Sequence, residues 1–297
     1  MLSQRPLLRG LLDLRPSLGP ERAAVADEAV AGELAAARIY SFASADYPGA
    51  AQSLIFDSDG TTAVGVFTFD PSSAASPLTA FAFSAGGYQI LPVPSSTASV
   101  ATGIDEGGVI VGAYTDLAGK RHGFVDDGGT FSDVDVPGAG TTQVIGVDAG
   151  GQIVGDYFDA ADVEHGFVRT EGVVTTIDFP VATGTVAAGI NAAGDIVGGS
   201  TDAAGSHGFL FRSGVFTPIN FPLATSTTAF GINDAGEVAG FYADASGAHG
   251  FVYAGGSFST VDVAGARSTQ LTRITNRGSV TGVYTDALTG QHGLTGV

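Results

Sequence analysis

Histidine and aspartate recur together along this sequence. Each of the five histidines precedes Gly-Phe or Gly-Leu, and an aspartate lies five or six residues before it. Imidazole and carboxylate groups at such a spacing could bind a metal ion or exchange protons. The pairs are Asp116 and His122, Asp159 and His165, Asp202 and His207, Asp244 and His249, and Asp286 and His292.

Five near-identical pairs favour a structural role, because catalysis needs one differentiated site rather than several equivalent ones. A hydrogen bond within each pair would stabilise the loop that joins the two residues. We therefore predict that these residues belong to the scaffold, and that the protein has no metal site and no cofactor. In the first copy, Asp70 holds the aspartate position and Ala80 takes the place of histidine.

The pairs belong to a longer repeat. Four copies open with glycine at intervals of 43, 43 and 42 residues, and two more copies start near Ile55 and at Arg273; the four glycines are Gly103, Gly146, Gly189 and Gly231. Each copy contains four apolar segments of strand length, separated by turns rich in Asn, Asp and Gly. Four strands in a unit of this size are typical of one β-propeller blade.

The ends of the chain indicate how the ring closes. The last copy stops at 292–297, after its third strand, while residues 39–47 precede a Pro-Gly-Ala turn like the one after the fourth strand at 131–136. We predict an all-β fold: a six-bladed β-propeller over residues 39–297 with strand-swapped ring closure, which removes the open strand edge. Residues 1–38 are predicted to be an N-terminal extension, either partly helical or disordered.

The repeat motif resembles a known family. The copy GINDAGEVAGFYADASGAHGFVYAGGSFSTVDVAGA from Gly231 is similar to the HAF-repeat family, described as a probable extracellular repeat, and the resemblance covers residues 39–297. It implies no defined reaction, but it implies secretion. The residues themselves predict a cytoplasmic protein, because Arg9, Asp13 and Arg15 interrupt the leucines of the N-terminus before they reach signal-peptide length.

Composition excludes several classes of partner. The chain has 12 basic and 30 acidic residues among 297, a formal net charge of −18, and no cysteine. Nucleic acids and anionic membranes bind basic surfaces, so neither is an expected partner. No apolar run approaches the length of a membrane span. We expect a small molecule or a protein as ligand, and a monomer or weak oligomer.

A ligand site is expected where the copies differ. The loop before each first strand ends on a variable position, to which we assign Gln52, Gln143 and Gln270, while Arg267 and Arg273 are basic departures in the last copy. Together they predict a site for an anionic group at one mouth of the ring. Ion pairs that fasten the closing blade are the alternative for the arginines.

Two functions remain open at this point. The first is a non-catalytic ligand-binding or interaction propeller, with its ligand at one mouth of the central funnel. The second is an enzyme, a lyase, hydrolase or cyclase of a small or apolar substrate, that uses the same funnel. A pair of carboxylates at glycosidase separation, or a base beside an oxyanion donor, would indicate the enzyme. The sequence identifies no catalytic residue.

Overall fold

The described part of the protein is built from β-strands. A computed structural model describes residues 40–73, 76–288 and 290–297, and all regular secondary structure within them is strand. The helix predicted in the N-terminal extension lies outside the described residues.

The strands follow one another at short intervals. In chain order they are β1 (Phe42–Ser44), β2 (Gln52–Ser58), β3 (Ala63–Thr68), β4 (Thr79–Ser84), β5 (Gly87–Ile90), β6 (Ser96–Ile104), β7 (Ile110–Asp116), β8 (Arg121–Asp127), β9 (Thr130–Val134), β10 (Thr141–Val147), β11 (Ile153–Phe158), β12 (Glu164–Thr170), β13 (Val173–Ile177), β14 (Gly184–Ile190), β15 (Ile196–Asp202), β16 (Gly205–Arg212), β17 (Val215–Ile219), β18 (Ser226–Ile232), β19 (Val238–Asp244), β20 (Gly247–Ala254), β21 (Ser257–Val261), β22 (Ser268–Ile274), β23 (Val280–Thr285) and β24 (Gln291–Gly296).

These strands form six antiparallel units of four, which we call blades 1 to 6. Blades 1 to 5 are β2–β5, β6–β9, β10–β13, β14–β17 and β18–β21, each an uninterrupted stretch of chain. Blade 6 combines β22, β23 and β24 with β1 from the other end of the sequence. The first strands of successive blades pack side by side, and β22 packs on β2, so the blades form a ring.

The strand β1 closes blade 6. Phe42 lies opposite Gly296 and Ser44 opposite Leu294, in antiparallel register with β24. The pairing is the one predicted for residues 39–47, although the strand itself is shorter than that segment. It ties the two ends of the ring together and leaves β24 without an open edge.

Apolar side chains between adjacent blades form the core. The third strand of each blade carries one large apolar residue at the same register position, and each is no more than 1% exposed: Phe81, Phe124, Phe167, Phe209, Phe251 and Leu294. Full burial of a side chain of this size contributes about 1.5–3 kcal/mol. Since a single blade cannot cover both of its faces, each blade depends on its neighbours for this contribution.

The glycines that open the copies allow the first strands to approach one another. A Cβ at Gly146 would lie 2.8 Å from the carbonyl oxygen of Ala188 in the next blade, and one at Gly189 would lie 2.6 Å from that of Phe230. Any side chain at these positions would push the inner strands apart.

The ring has two different mouths. Each first strand begins at the loop that follows the previous blade and ends at a tight hairpin that leads to the second strand. We call the end with the first-to-second-strand hairpins the hairpin mouth, and the opposite end the loop mouth. Within the part of the chain that the structure describes, no helix is long and apolar enough to span a membrane.

Candidate functional site

The histidines lie near the loop mouth, each at the start of a third strand, and four of the five lie between two carboxylates. Nδ1 of His122 lies 2.9 Å from Oδ2 of Asp135, and its Nε2 lies 3.4 Å from Oδ2 of Asp116. The same arrangement joins His165, His249 and His292 to Asp178, Asp262 and Asp46, with Nδ1 to Oδ2 distances of 2.8–2.9 Å.

The second carboxylate was missed in the sequence. Asp135, Asp178 and Asp262 each lie 13 residues after their histidine, a spacing that the sequence prints plainly. For His292 no such residue follows, because its partner Asp46 comes from the swapped N-terminal segment, 246 residues away. This contact joins the N-terminal segment to blade 6 in addition to the pairing of β1 with β24.

Blade 4 departs from this pattern. Asn220 stands where the other copies have the second aspartate, so His207 keeps only the contact from its Nε2 to Asp202, at 3.2 Å. Ser200 replaces the tyrosine on which the other histidines stack, for example Tyr284, whose ring centre lies 5.0 Å from that of His292.

The surroundings of several of these aspartates and of His292 favour their charged forms. Backbone N–H groups of the turn lower the pKa of Asp116, Asp159 and Asp286 below the ordinary value. Burial alone would lower the pKa of His292, but the hydrogen bonds and charges of Asp46 and Asp286 outweigh it and raise that pKa. No group of three or more His, Cys, Asp or Glu side chains within residues 40–73, 76–288 and 290–297 is arranged to hold a metal ion.

One assignment in the first copy is wrong. Phe81 of blade 1 pairs with its neighbouring strand as Phe124 does in blade 2, so Thr79 and not Ala80 corresponds to His122. The irregular loop before this strand had shifted the sequence alignment by one residue.

Arg273 forms an ion pair with a residue of the adjacent blade. Its Nε lies 3.1 Å from Oδ1 of Asp57, although not in hydrogen-bond geometry. The two residues occupy equivalent places: both follow the bulge of a first strand, where the other four blades have glycine. The pair therefore replaces the close glycine contact at the junction of blades 6 and 1.

Asp57 connects three blades. Its Oδ2 accepts a hydrogen bond from the backbone N–H of Ile104 in blade 2, 3.1 Å away, while its Oδ1 accepts one from Ser58. Burial raises the pKa of Asp57 to about 6, against the lowering effects of Arg273 and the two N–H donors. Arg273 thus makes an ion pair at the closing blade, which was the alternative to an anion site for the arginines.

The other predicted ligand residues do not converge with Arg273. Arg267 is exposed at the loop mouth, at the opposite end of β22, about 20 Å away by the rise of an extended strand. Gln270 and Gln143 are buried at 3% and 4% exposure inside the ring wall. In blade 1 the position equivalent to these two buried glutamines is held by Leu54. Gln52 lies two residues before Leu54, nearer the loop mouth, where it pairs with Thr68.

The hairpin mouth opens into a funnel. Hairpins from all six blades line it, and its volume is about 520 Å³ together with solvent at the entrance. The cavity proper is only about 60 Å³, below the usual size range of ligand sites, about 300–1,000 Å³, so a small group such as an ammonium enters it while the rest of a ligand lies at the entrance. Asp59, Asp105, Glu106, Asp148 and Asp234 contribute carboxylates to the lining, and Arg273 is the one basic residue in it among those described.

Two of these carboxylates meet at one amide. Asn276 of blade 6 points Nδ2 at Oε1 of Glu106 in blade 2, at 2.9 Å, and at Oδ2 of Asp234 in blade 5, at 2.7 Å. All three residues are exposed. At the same hairpin position blades 3 and 4 have Ala149 and Ala192, so the opposite side of the mouth stays open.

The remaining funnel carboxylates stabilise their own hairpins. Oδ1 of Asp105 accepts hydrogen bonds from the backbone N–H groups of Gly107 and Val109. In the next copy, Oδ1 of Asp148 accepts the equivalent bonds from Gly150 and Gln152. These groups shape the mouth, while Glu106 and Asp234 face the solvent above it. Sequence comparison of the copies overlooked this position because it lies within an ordinary turn.

Comparison with solved structures identifies the fold class, a six-bladed β-propeller. AofleA from Arthrobotrys oligospora is 12% identical with a TM-score of 0.53, over 85% of either chain. A lectin from the fungus Aleuria aurantia, described with a six-bladed β-propeller fold and a fucose recognition mode, is 11% identical with a TM-score of 0.51, over 81% of this chain and 90% of its own. The β-propeller domain of the Trilobed protease from Pyrococcus furiosus is 9% identical with a TM-score of 0.50, over 83% and 94%.

At these identities the likeness concerns the fold alone. No protein family model matches the chain, and no curated protein sequence matches it. The resemblance of the repeat motif to the HAF-repeat family therefore stays an interpretation of the sequence.

Proposed function

We propose that the protein is a non-catalytic binding propeller whose ligand is a small organic cation held at the hairpin mouth of the funnel. The observation that carries the proposal is the meeting of Glu106 and Asp234, from blades 2 and 5, at the single amide of Asn276. An ammonium group of a ligand can take the place of that amide, since it also donates several hydrogen bonds, and its charge makes them stronger.

Charge supports a cation rather than the anion expected from the arginines. The guanidinium of Arg273 already faces the buried carboxylate of Asp57. The exposed groups at the entrance are Glu106 and Asp234, in a protein of net charge −18. Because Arg273 is the one cation of the lining among the described residues and is paired with Asp57, the remaining charges of the mouth are negative and concentrate ligands of the opposite sign.

The alternative hypothesis, an enzyme in the same funnel, has weaker support. Asp105 and Asp148 are engaged by the backbone of their own turns, and Glu106 and Asp234 share a neutral amide. Such a set can position a ligand, but none of these contacts activates a nucleophile or a water. The fungal lectin suggests a neutral sugar as another ligand class, and the experiment below includes it.

Calorimetric titration with spermidine tests the proposal. We expect saturable binding to one site, weakened at least about tenfold by the double variant Glu106→Gln/Asp234→Asn, equivalent to roughly 1.4 kcal/mol. The matched control is Asp127→Asn/Glu171→Gln, which removes the same charge from exposed positions of outer hairpins and should leave the affinity unchanged.

Two results would count against it. Equal losses in both double variants would indicate diffuse attraction to an acidic protein instead of a site. Binding of L-fucose without binding of spermidine would keep the binding function but replace the ligand class.

A further inference from the structure

Three polar side chains share one face of blade 3. Gln143 on β10 lies directly opposite Asp156 on β11, and Asp156 in turn lies opposite Gly166 on β12. Glu164, two residues before Gly166, is therefore a diagonal neighbour of Asp156 on the same face, about 7 Å away by strand geometry.

Two of the three side chains are buried, and that of Glu164 is half-buried. Asp156 is 1% exposed, Gln143 is 4% exposed, and Nε2 of Gln143 donates to Oδ2 of Asp156 at 3.1 Å. Blade 4 makes room for the third: a Cβ at Gly184 would lie 3.0 Å from Oε2 of Glu164. The cluster thus lies where blade 3 meets blade 4.

Each of the three residues has a buried oxygen without a partner. These atoms are Oε1 of Gln143, Oδ1 of Asp156 and Oε1 of Glu164. Buried polar atoms in folded proteins nearly always have a hydrogen-bond partner or an ion beside them. Nε of Arg121, whose charge acts on Asp156, is a buried donor without a partner as well, so three unpaired acceptors stand against one unpaired donor and the cluster is short of donors.

The charges agree with this requirement. Burial raises the pKa of Asp156 to about 7, against the attraction of Arg121 and the hydrogen bond from Gln143. Burial and the negative charge of Asp156 raise the pKa of Glu164 to about 8. Below these pKa values a proton on one carboxyl balances the cluster, since Arg121 on β8 offsets the charge of Asp156. Above them both carboxyls are ionised, and one positive charge is missing.

We propose that Gln143, Asp156 and Glu164 form a buried binding site for one monovalent cation of the alkali-metal or ammonium class. Oxygen atoms are the ligands that hard cations prefer. One monovalent ion neutralises the cluster together with Arg121, whereas a divalent ion would leave an excess positive charge. The site is specific to blade 3, because blade 4 has Val186, Gly199 and Ser206 at the corresponding positions.

Thermal unfolding in different salts tests the site. At about pH 8.5, above the raised pKa values, about 100 mM potassium, sodium or ammonium chloride should raise the melting temperature by at least about 3 °C over tetramethylammonium chloride, whose cation is too large to enter. At least one of the three small cations must produce this rise. Equal melting temperatures in all four salts would overturn the proposal.

Variants locate the effect. Gln143→Val and Glu164→Ser introduce the residues of blade 4 and should abolish the rise, while Gln270→Thr, which introduces the residue of blade 5 at another buried glutamine, should keep it. Glu106→Gln should also keep it, which separates this site from the funnel. The effective cation should slow amide hydrogen exchange in β10–β12 more than in β22–β23.

Two results would contradict the proposal. One is a rise in melting temperature that survives both cluster variants, and the other is a slowing of amide exchange that is equal in all these strands.

Discussion

Arg273 and Asp57 lie 216 positions apart in the sequence, and their side chains meet across the junction of blades 6 and 1, Nε to Oδ1, at 3.1 Å. Elsewhere in the ring the equivalent residues are glycines, in van der Waals contact with the backbone of the next blade. The carboxylate of Asp57 thus joins blade 1 to blade 6 by an ion pair and to blade 2 by a hydrogen bond, whereas the junctions at the four glycines are closely packed.

Arg273→Gly should destabilise the protein by about 3 kcal/mol, because it leaves the carboxylate of Asp57 buried without its cation. The double variant Arg273→Gly/Asp57→Gly should lose less than the sum of the two single changes. Urea unfolding measures all three. Arg267→Gly, at an exposed position next to the opposite end of β22, is the control and should cost little. Additive losses would show that the two residues act independently.

Removing β1 should destroy the cooperativity of unfolding. Deletion of residues 1–48 takes away the fourth strand of blade 6 and the Asp46 partner of His292. It exposes the edge of β24 and should broaden the thermal transition or abolish it, whereas deletion of residues 1–19 should have little effect. Circular dichroism melting compares the two chains. Similar melting curves for both would contradict the closure described here.

His292 should stabilise the fold more at low pH than at high pH. Its pKa is raised in the folded protein, so its contribution is fully present below the unfolded value, about 6.5, and is lost as the pH rises through the folded value. His292→Gln should therefore cost more stability at about pH 5.5 than at about pH 8.5. His207→Gln, where the second aspartate is absent, serves as the comparison for the loss of the imidazole itself.

The histidines should not bind a transition metal in stoichiometric amounts. Both ring nitrogens of His122 and His249 are already in contact with carboxylates within their own blade. Metal analysis of the purified protein should find no stoichiometric zinc, nickel or copper. Several equivalents of bound metal that disappear when these histidines are replaced would contradict the structural role assigned to the histidines.

Much of the fold could be predicted from the repeat, and little of the candidate site. Every copy of the repeat shows the same strand and turn pattern, so an alignment of the copies gives the register of Phe124 and Phe167. The ion pair of Arg273 could not, since its partner Asp57 lies in the most divergent copy and at the other end of the chain. Asn276 and Asp234 lie one repeat apart, so their contact follows the period, but Glu106 lies 170 residues from Asn276 in a non-adjacent blade, and no periodic pattern predicts that contact.

Adding a carboxylate to the hairpin mouth should strengthen cation binding. Ala149→Glu places a third acid at the hairpin position of Glu106, on the open side of the funnel. We expect spermidine affinity to rise about threefold at low salt, and the gain to shrink as added salt screens the exposed charges. An unchanged affinity at low salt would show that this side of the mouth does not face the ligand.

The side-chain amide of Asn276 reports most directly on the proposed ligand site. In a ¹⁵N-resolved NMR titration with spermidine, its Nδ2 resonances should shift in a saturable manner, because the ligand takes over the contacts to Glu106 and Asp234. The dissociation constant from this shift should match the calorimetric one. Saturable binding by calorimetry that leaves the Asn276 amide unmoved would contradict the central claim that the hairpin mouth is the binding site.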